Sequence, residues 1–225
     1  MARTTDPTSA NTAAQADMSA ASAADPVMAF PFIGGRPCLD FVATLGKRHG
    51  TPVERLPDTA ALARWITEAG LTGGPEAPTA AAADLAHARE LREALYRLVR
   101  GGMDGRTPDP ADVVRVNEAA ARPDLIPQLA VREDEGEGGP LPAPLWQARH
   151  PAPATLATVA RDAVLLVSGP LLARVKECEN PACSLLFLDD SQARRRRWCS
   201  MERCGNLAKI AGYRSRARRG AKSEE

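Results

Sequence analysis

Apolar positions recur at helical spacing through most of the middle of this chain. Leu62, Trp65, Ile66 and Ala69 follow Asp58, whose carboxylate suits a helix N-cap, and Gly70 ends the run. A longer helix starts at Thr79 and carries Leu85, Leu91, Leu95, Leu98 and Val99 on one side as far as Gly101-Gly102. Asp109-Pro110 supplies a cap and a first turn for Val113, Val116 and Ala120. Thr155–Ser168 predicts the most apolar helix, with Leu156, Val159, Ala160, Ala163, Val164 and Val167 at core spacing and Gly169-Pro170 as its stop. Leu129–Val131 and Leu145–Ala148 read instead as a β-hairpin around an acidic, Gly- and Pro-rich loop. Residues 1–27 have no apolar period and predict a disordered tail.

Beyond Lys176 the pattern is set by sulfur. Cys178 and Cys183 form one C-x4-C pair, Cys199 and Cys204 a second, and fifteen residues separate them. Four thiolates in two close pairs suit one tetrahedral, structural Zn²⁺. So short a segment cannot cohere by apolar burial alone, and a metal supplies what is missing. Two disulfides are the alternative, disfavoured because nothing marks the chain for export. Four cysteine ligands leave no open position for a catalytic water. Leu185–Leu188 predicts a strand, Asp189–Ser191 a turn, Arg195–Trp198 a returning strand and the residues after Cys204 a helix. Leu207, Ile210 and Ala211 are expected to turn toward the metal, and Trp198 to shield it. A knuckle, a hairpin and a second knuckle opening a helix make a treble-clef finger.

Charge separates the two parts of the chain. From Ser191 to Lys222 there are eleven Lys or Arg and one acid, Glu202, a formal +10, whereas residues 1–170 hold 16 bases and 21 acids, or −5. Such asymmetry points to a polyanion partner. The candidate DNA-contacting residues are Arg194, Arg195, Arg196, Arg197, Arg203, Asn206, Lys209, Arg214, Arg216, Arg218 and Arg219. Lys209, Tyr213 and Arg216 share one helix face. Solvation and balance of the anionic zinc centre would need only two or three of these cations.

The run Leu-Phe-Leu-Asp followed by Arg-Arg-Trp-Cys-Ser-Met-x-x-Cys-Gly-Asn resembles the CGNR zinc finger, with Leu207 where that motif closes on arginine. The opening Phe30–Leu45 resembles that of the ABATE domain, a strand into Gly34-Gly35 and then a helix led by Leu39-Asp-Phe-Val42, with Ala43-Thr44 where Asn-Thr is usual. The pairing implies a stress-induced transcription regulator: an ABATE-like regulatory domain over 28–175, a finger over 176–220, and short tails at 1–27 and 221–225. It also implies a small effector, for which Arg36, Asp40 and Thr44 are the polar candidates. The fold expected is α+β, mainly helical, with a short hairpin and a C-terminal treble-clef zinc finger.

Several classes lose support. There is no secretory start, no eighteen-residue apolar stretch and no H-E-x-x-H or supported Ser/His/Asp set, so a cytoplasmic protein without catalysis is expected. Cys38 reads as a small buried hydrophobe; Asp84, Glu90, Glu93 and Asp162 read as solvated charges. The finger as a protein-interaction module is the main alternative. RNA binding is weaker, because 4% aromatic residues make a poor stacking platform. A symmetric homodimer is the default for a regulator.

Overall fold

A computed structural model describes residues 26–72, 78–132 and 141–210. The predicted tail before residue 26 lies outside these, as do Ala211, Tyr213, Arg214, Arg216, Arg218, Arg219 and Lys222. The architecture is α+β, mainly helical with small antiparallel ribbons. In chain order come α1 (Pro37–Val42), β1 (Leu45–Gly46), β2 (Val53–Glu54), α2 (Thr59–Glu68), α3 (Ala82–Met103), α4 (Pro110–Ala120), β3 (Ile126–Arg132), β4 (Leu141–Gln147) and α5 (Pro151–Val167). A 3-10 turn, Pro170–Arg174, leads into β5 (Val175–Glu177), β6 (Leu186–Leu188) and a wide helical turn, Met201–Gly205.

The predicted caps are in place. Asp58 accepts the Ala61 N–H at 2.8 Å, and Asp109 accepts that of Ala111 at 2.9 Å. Helix α3 starts at Ala82, three residues later than Thr79, because the Asp84 carboxylate accepts the Ala81 N–H at 2.8 Å and fixes the first turn there. α5 is the hub and packs against α1, α2, α3 and α4. Its buried face is mostly Ala152, Ala154, Ala157, Ala160 and Ala163, small enough to let four helices approach. The rest of the core is bulky: Trp65 meets the Phe41 ring edge-on at 5.0 Å, with Leu39, Leu62, Ile66, Leu95 and Leu166 around it.

Of the four acids expected in solvent, Glu90 pairs with Arg115 at the surface and Asp84 caps α3, while Asp162 and Glu93 tie elements together. Asp162 pairs with Arg36 at 2.5 Å and accepts the Cys38 N–H at 3.0 Å, tying α5 to α1. Glu93 holds Arg48 at 2.6 Å and Arg92 at 2.9 Å. Their partners are 45 or more residues away in sequence, except Arg92, so helical periodicity alone does not find them. Arg92 itself is buried and grips Glu54 through two bonds of 2.6 and 2.7 Å.

The expected strand leading into Gly34-Gly35 does not form: residues 29–33 carry no ladder. Gly35 turns with φ +78°, and the Gly34 carbonyl accepts the Leu188 N–H at 2.8 Å. That contact brings the last strand onto α1. The hairpin β3–β4 forms as expected and is longer than predicted, pairing Ile126 with Gln147 through to Arg132 with Leu141.

Candidate metal centre

The first knuckle is built by Asn180. Its carbonyl accepts the Cys183 N–H at 2.7 Å, its side-chain oxygen accepts the Ala182 N–H at 3.0 Å, and its Nδ2 donates to Cys204 Sγ at 3.3 Å. The Cys178 N–H closes on the Leu185 carbonyl at 2.9 Å. In the second knuckle the Ser200 hydroxyl accepts the Arg203 N–H at 3.1 Å, and the Ser200 carbonyl accepts those of Cys204 and Gly205. Residues 206–210 continue as helix.

These turns bring the four cysteine sulfurs within 4.8 Å of one another. Four thiolates at about 2.3 Å from one tetrahedral ion stand about 3.8 Å apart. The Cys199–Cys204 and Cys183–Cys199 sulfurs are 3.5 and 4.0 Å apart, so the set fits one Zn²⁺ with small adjustments. The Cys199 N–H also points at Cys178 Sγ, 3.4 Å away. Donors aimed at sulfur stabilise thiolates, as a metal site's outer partners do. The sulfurs compete for charge: S–H donation from Cys183 and then Cys199 pulls Cys178 down to about 2, while the bond to Cys178 pushes Cys183 up to about 12 and Cys199 up as well. A divalent cation would ease that competition by stabilising all four as thiolates. No disulfide joins any of the five cysteines, and the thiol of buried Cys38 is pushed up first by burial and then by Asp162.

The environment corrects the expected hairpin. β6 pairs with β5, before the first knuckle: Val175 faces Leu188, Lys176 faces Phe187 and Glu177 faces Leu186. Arg195–Trp198 forms no strand, because polar side chains rather than a backbone ladder hold that run. The organiser is Asp189. Its buried carboxylate accepts from Lys176 Nζ at 2.6 Å, Ser191 Oγ at 2.5 Å and the Arg196 N–H at 3.0 Å. Burial pushes this carboxyl up, but Lys176, Ser191 and the backbone donors outweigh it and hold it well below the usual carboxylate range. Arg174 clamps the Asp189 carbonyl through two bonds of 2.8 and 3.0 Å.

The four arginines of this loop therefore differ. Arg196 lies over Phe187 at 4.4 Å and donates to the Trp198 and Cys199 carbonyls, fastening the loop to the knuckle. Arg197 pairs with Glu179 at 2.6 Å and stacks on Trp198 at 5.1 Å. Arg194 and Arg195 are exposed and have no side-chain partner among the described residues. They line a groove of about 560 Å³ with Arg100, Lys176, Glu177 and Glu179. Arg203, Asn206 and Lys209 are exposed on the second knuckle and the helix after it. Trp198 packs on the cysteine cluster. Leu207 and Ile210, expected to face the metal, are 58% and 48% exposed, because Phe187, Leu185 and Ala43 already fill the space around the sulfurs.

Ala43, with Ile33 at the edge, is the N-terminal region's contribution to that cluster. Buried Arg55 donates to the Ala43 carbonyl at 3.3 Å and to that of Val27 at 3.0 Å. Gly46 makes room for it: a Cβ there would stand 2.4 Å from Arg55 Nη1. Burial pushes the Arg55 guanidinium down and Arg203 adds to this, while Cys183 and Glu54 hold it up. A buried cation thus sits within electrostatic reach of the sulfur centre. The sequence carries no local signal for Arg55, whereas Asp189-Asp-Ser191 and Asn180-Pro181 are turn signatures that mark the organisers.

The three candidate effector residues are not gathered at one open site. The Arg36 guanidinium is taken by Asp162, Asp40 accepts the Gly34 N–H at 2.7 Å, and buried Thr44 donates to the Phe41 carbonyl at 2.7 Å. No helix among the described residues is long and apolar enough to cross a membrane.

A family model for ABATE, described as "Putative stress-induced transcription regulator", matches residues 35–170, and one for the CGNR zinc finger matches residues 174–217. No curated protein matches the chain.

Proposed function

We propose that this chain, which belongs to the ABATE family and carries a C-terminal CGNR zinc finger, is a zinc-dependent, DNA-binding regulator of transcription without catalytic chemistry. The observation that carries the reading is the pair Arg194 and Arg195. They are exposed and uncommitted, and they stand on a loop that Asp189 and Arg196 fix against the metal knuckle. Rigid presentation of free guanidinium groups suits phosphate oxygens, which accept bidentate bonds. Arg203, Asn206 and Lys209 extend the surface, and Arg214, Arg216, Arg218 and Arg219 continue its charge in the sequence.

Duplex binding measured by fluorescence anisotropy over a salt series tests this. Each phosphate contact contributes about −0.9 to the slope of log K against log salt. Arg194→Ser with Arg195→Ser should flatten the slope by roughly 2 and leave zinc content unchanged. Absence of wild-type affinity at low salt would end the proposal. Replacing all four arginines is a poorer test, since losing Arg196 loosens the knuckle itself.

A protein partner for the finger is favoured by one observation: Met201, Leu207 and Ile210 are 46%, 58% and 48% exposed on one short stretch. Leu207→Asp separates the readings. It should leave duplex affinity nearly intact and abolish a protein contact.

A further inference from the structure

Arg100, near the C-terminal end of α3, is held only by two long ion pairs. Its side chain is 27% exposed, yet its guanidinium makes no hydrogen bond among the described residues. The carboxylates nearest to it are Glu177 at 3.4 Å and Asp104 at 3.7 Å. Both have better partners: Glu177 takes His49 Nε2 at 2.5 Å, and Asp104 takes Arg106 at 2.9 Å. The other acids nearby are also occupied. Asp112 holds Arg97 through bonds of 2.5 and 2.8 Å, and Asp109 caps α4.

Arg100 stands in a cleft of about 470 Å³ between α3 and the turn before α4. The carboxylates of Asp109 and Asp112 also line the cleft, as do His49, the Tyr96 ring and Thr107; the Tyr96 and Thr107 hydroxyls have no hydrogen-bond partner among the described residues. Leu98 and Pro108 line this cleft and also an apolar groove of about 180 Å³, whose other walls include Val113, Val116 and Val164. Asp112 is spent on Arg97 and Asp109 on the α4 N-terminus, so Arg100 and Arg106 leave the head region net cationic beside an apolar trough, a form that suits an amphiphilic anion.

We infer that this cleft binds a small organic acid, with its carboxylate on Arg100 and its apolar body over Leu98, Pro108 and Val113. The site lies away from Arg36, Asp40 and Thr44. It rests on the reading that the helical domain senses a small molecule, and does not depend on the finger binding DNA. Glu177 joins the two regions, because it belongs to β5, the strand that enters the first knuckle. A carboxylate taken up by Arg100 would weaken that arginine's attraction to Glu177.

The test is a nuclear magnetic resonance titration of the full-length, zinc-loaded protein with octanoate, benzoate and acetate against chloride at matched ionic strength. Octanoate or benzoate should shift the amides of α3, the 105–109 turn and β5, and acetate should bind at least about tenfold more weakly because it lacks the apolar part. Arg100→Gln should weaken octanoate by about tenfold or more. Val113→Asn, at a position 38% exposed, should weaken octanoate and leave acetate unchanged. The inference is overturned if octanoate and benzoate cause no shift at millimolar concentration, or if both variants bind octanoate as the wild type does. Acetate binding as tightly as octanoate would overturn the apolar half of the site. Duplex affinity is measured on the same samples without acid, so loss of DNA binding and loss of acid binding are separate results.

Discussion

Around Trp65 the molecule is filled by large apolar side chains: Leu39, Phe41, Leu62, Ile66, Leu95 and Leu166 are all nearly inaccessible. Around Cys199 the buried set among the described residues is Ala43, Leu185, Phe187 and the sulfurs, with Ile33 and Trp198 at the edge. Burial of a single large apolar side chain contributes roughly 1.5–3 kcal/mol, so the first region can be ordered by area alone. The second cannot, and its order depends on metal and on buried polar anchors. Strand β6 belongs to both. Leu186 and Leu188 face the helical core, while Leu185 and Phe187 face the cysteines. Period-two alternation makes this short strand a shared wall. The finger is therefore built onto the helical domain rather than tethered to it.

The strongest way to break this comparison is to remove the metal. Chelation, or Cys199→Ser, should withdraw on the order of 10 kcal/mol of metal-coupled folding free energy. Hydrogen exchange should then show residues 176–210 losing protection while α2, α3 and α5 keep most of theirs. Equal loss across the helices would mean one cooperative unit and not two differently built regions.

The shared strand gives a finer probe. Leu186→Ala should cost about 2–5 kcal/mol of thermal stability, drawn from the helical core, with zinc stoichiometry and release rate near wild type. Phe187→Ala removes the ring beneath Arg196 and beside the sulfurs, so its chief effect should be faster zinc release to a chromophoric chelator. If both substitutions speed release alike, the two faces of β6 are not energetically distinct.

The same contrast explains what could be read from the residues alone. Helices α2 and α4 were legible because their apolar period and their caps, Asp58 and Asp109, agree. Helix α5 was legible by period alone, and its start at Pro151, four residues before the expected Thr155, was not, because His150 makes no side-chain cap. The metal ligands were legible because cysteine spacing is a local signal. The strand partner of β6 was not, since Val175–Glu177 lies before the knuckle and Arg195–Trp198 after it, and each has a single strong strand former, so composition does not choose between them. Nor could four consecutive arginines be told apart. What separates Arg196 from Arg194 is the position of Phe187 and of two carbonyls, fixed only by the folded loop. Arg55 and Arg100 were missed for the same reason: a buried or uncommitted cation is a property of its neighbours.

Asp40 offers the smallest and most specific test, at the junction where α1 meets the last strand. Burial pushes its carboxyl from 3.8 up to about 6; the Gly34 and Ile33 N–H groups oppose this and Asp162 adds to it. The folded state thus holds this proton more tightly than the unfolded chain does. The favourable contribution is complete below pH 3.8, falls as pH rises through the interval to about 6, and is gone above it. The full difference is about 3 kcal/mol at most. Asp40→Asn keeps an oxygen acceptor for the Gly34 N–H and cannot ionise. Its thermal midpoint should exceed the wild-type value at neutral pH, and its profile should lose the wild-type decline between pH 4 and 6. A variant less stable than wild type at pH 7 would mean that the ionised carboxylate is engaged by a cation. Arg36, already paired with Asp162 on the same helix–helix contact, is then the group to examine.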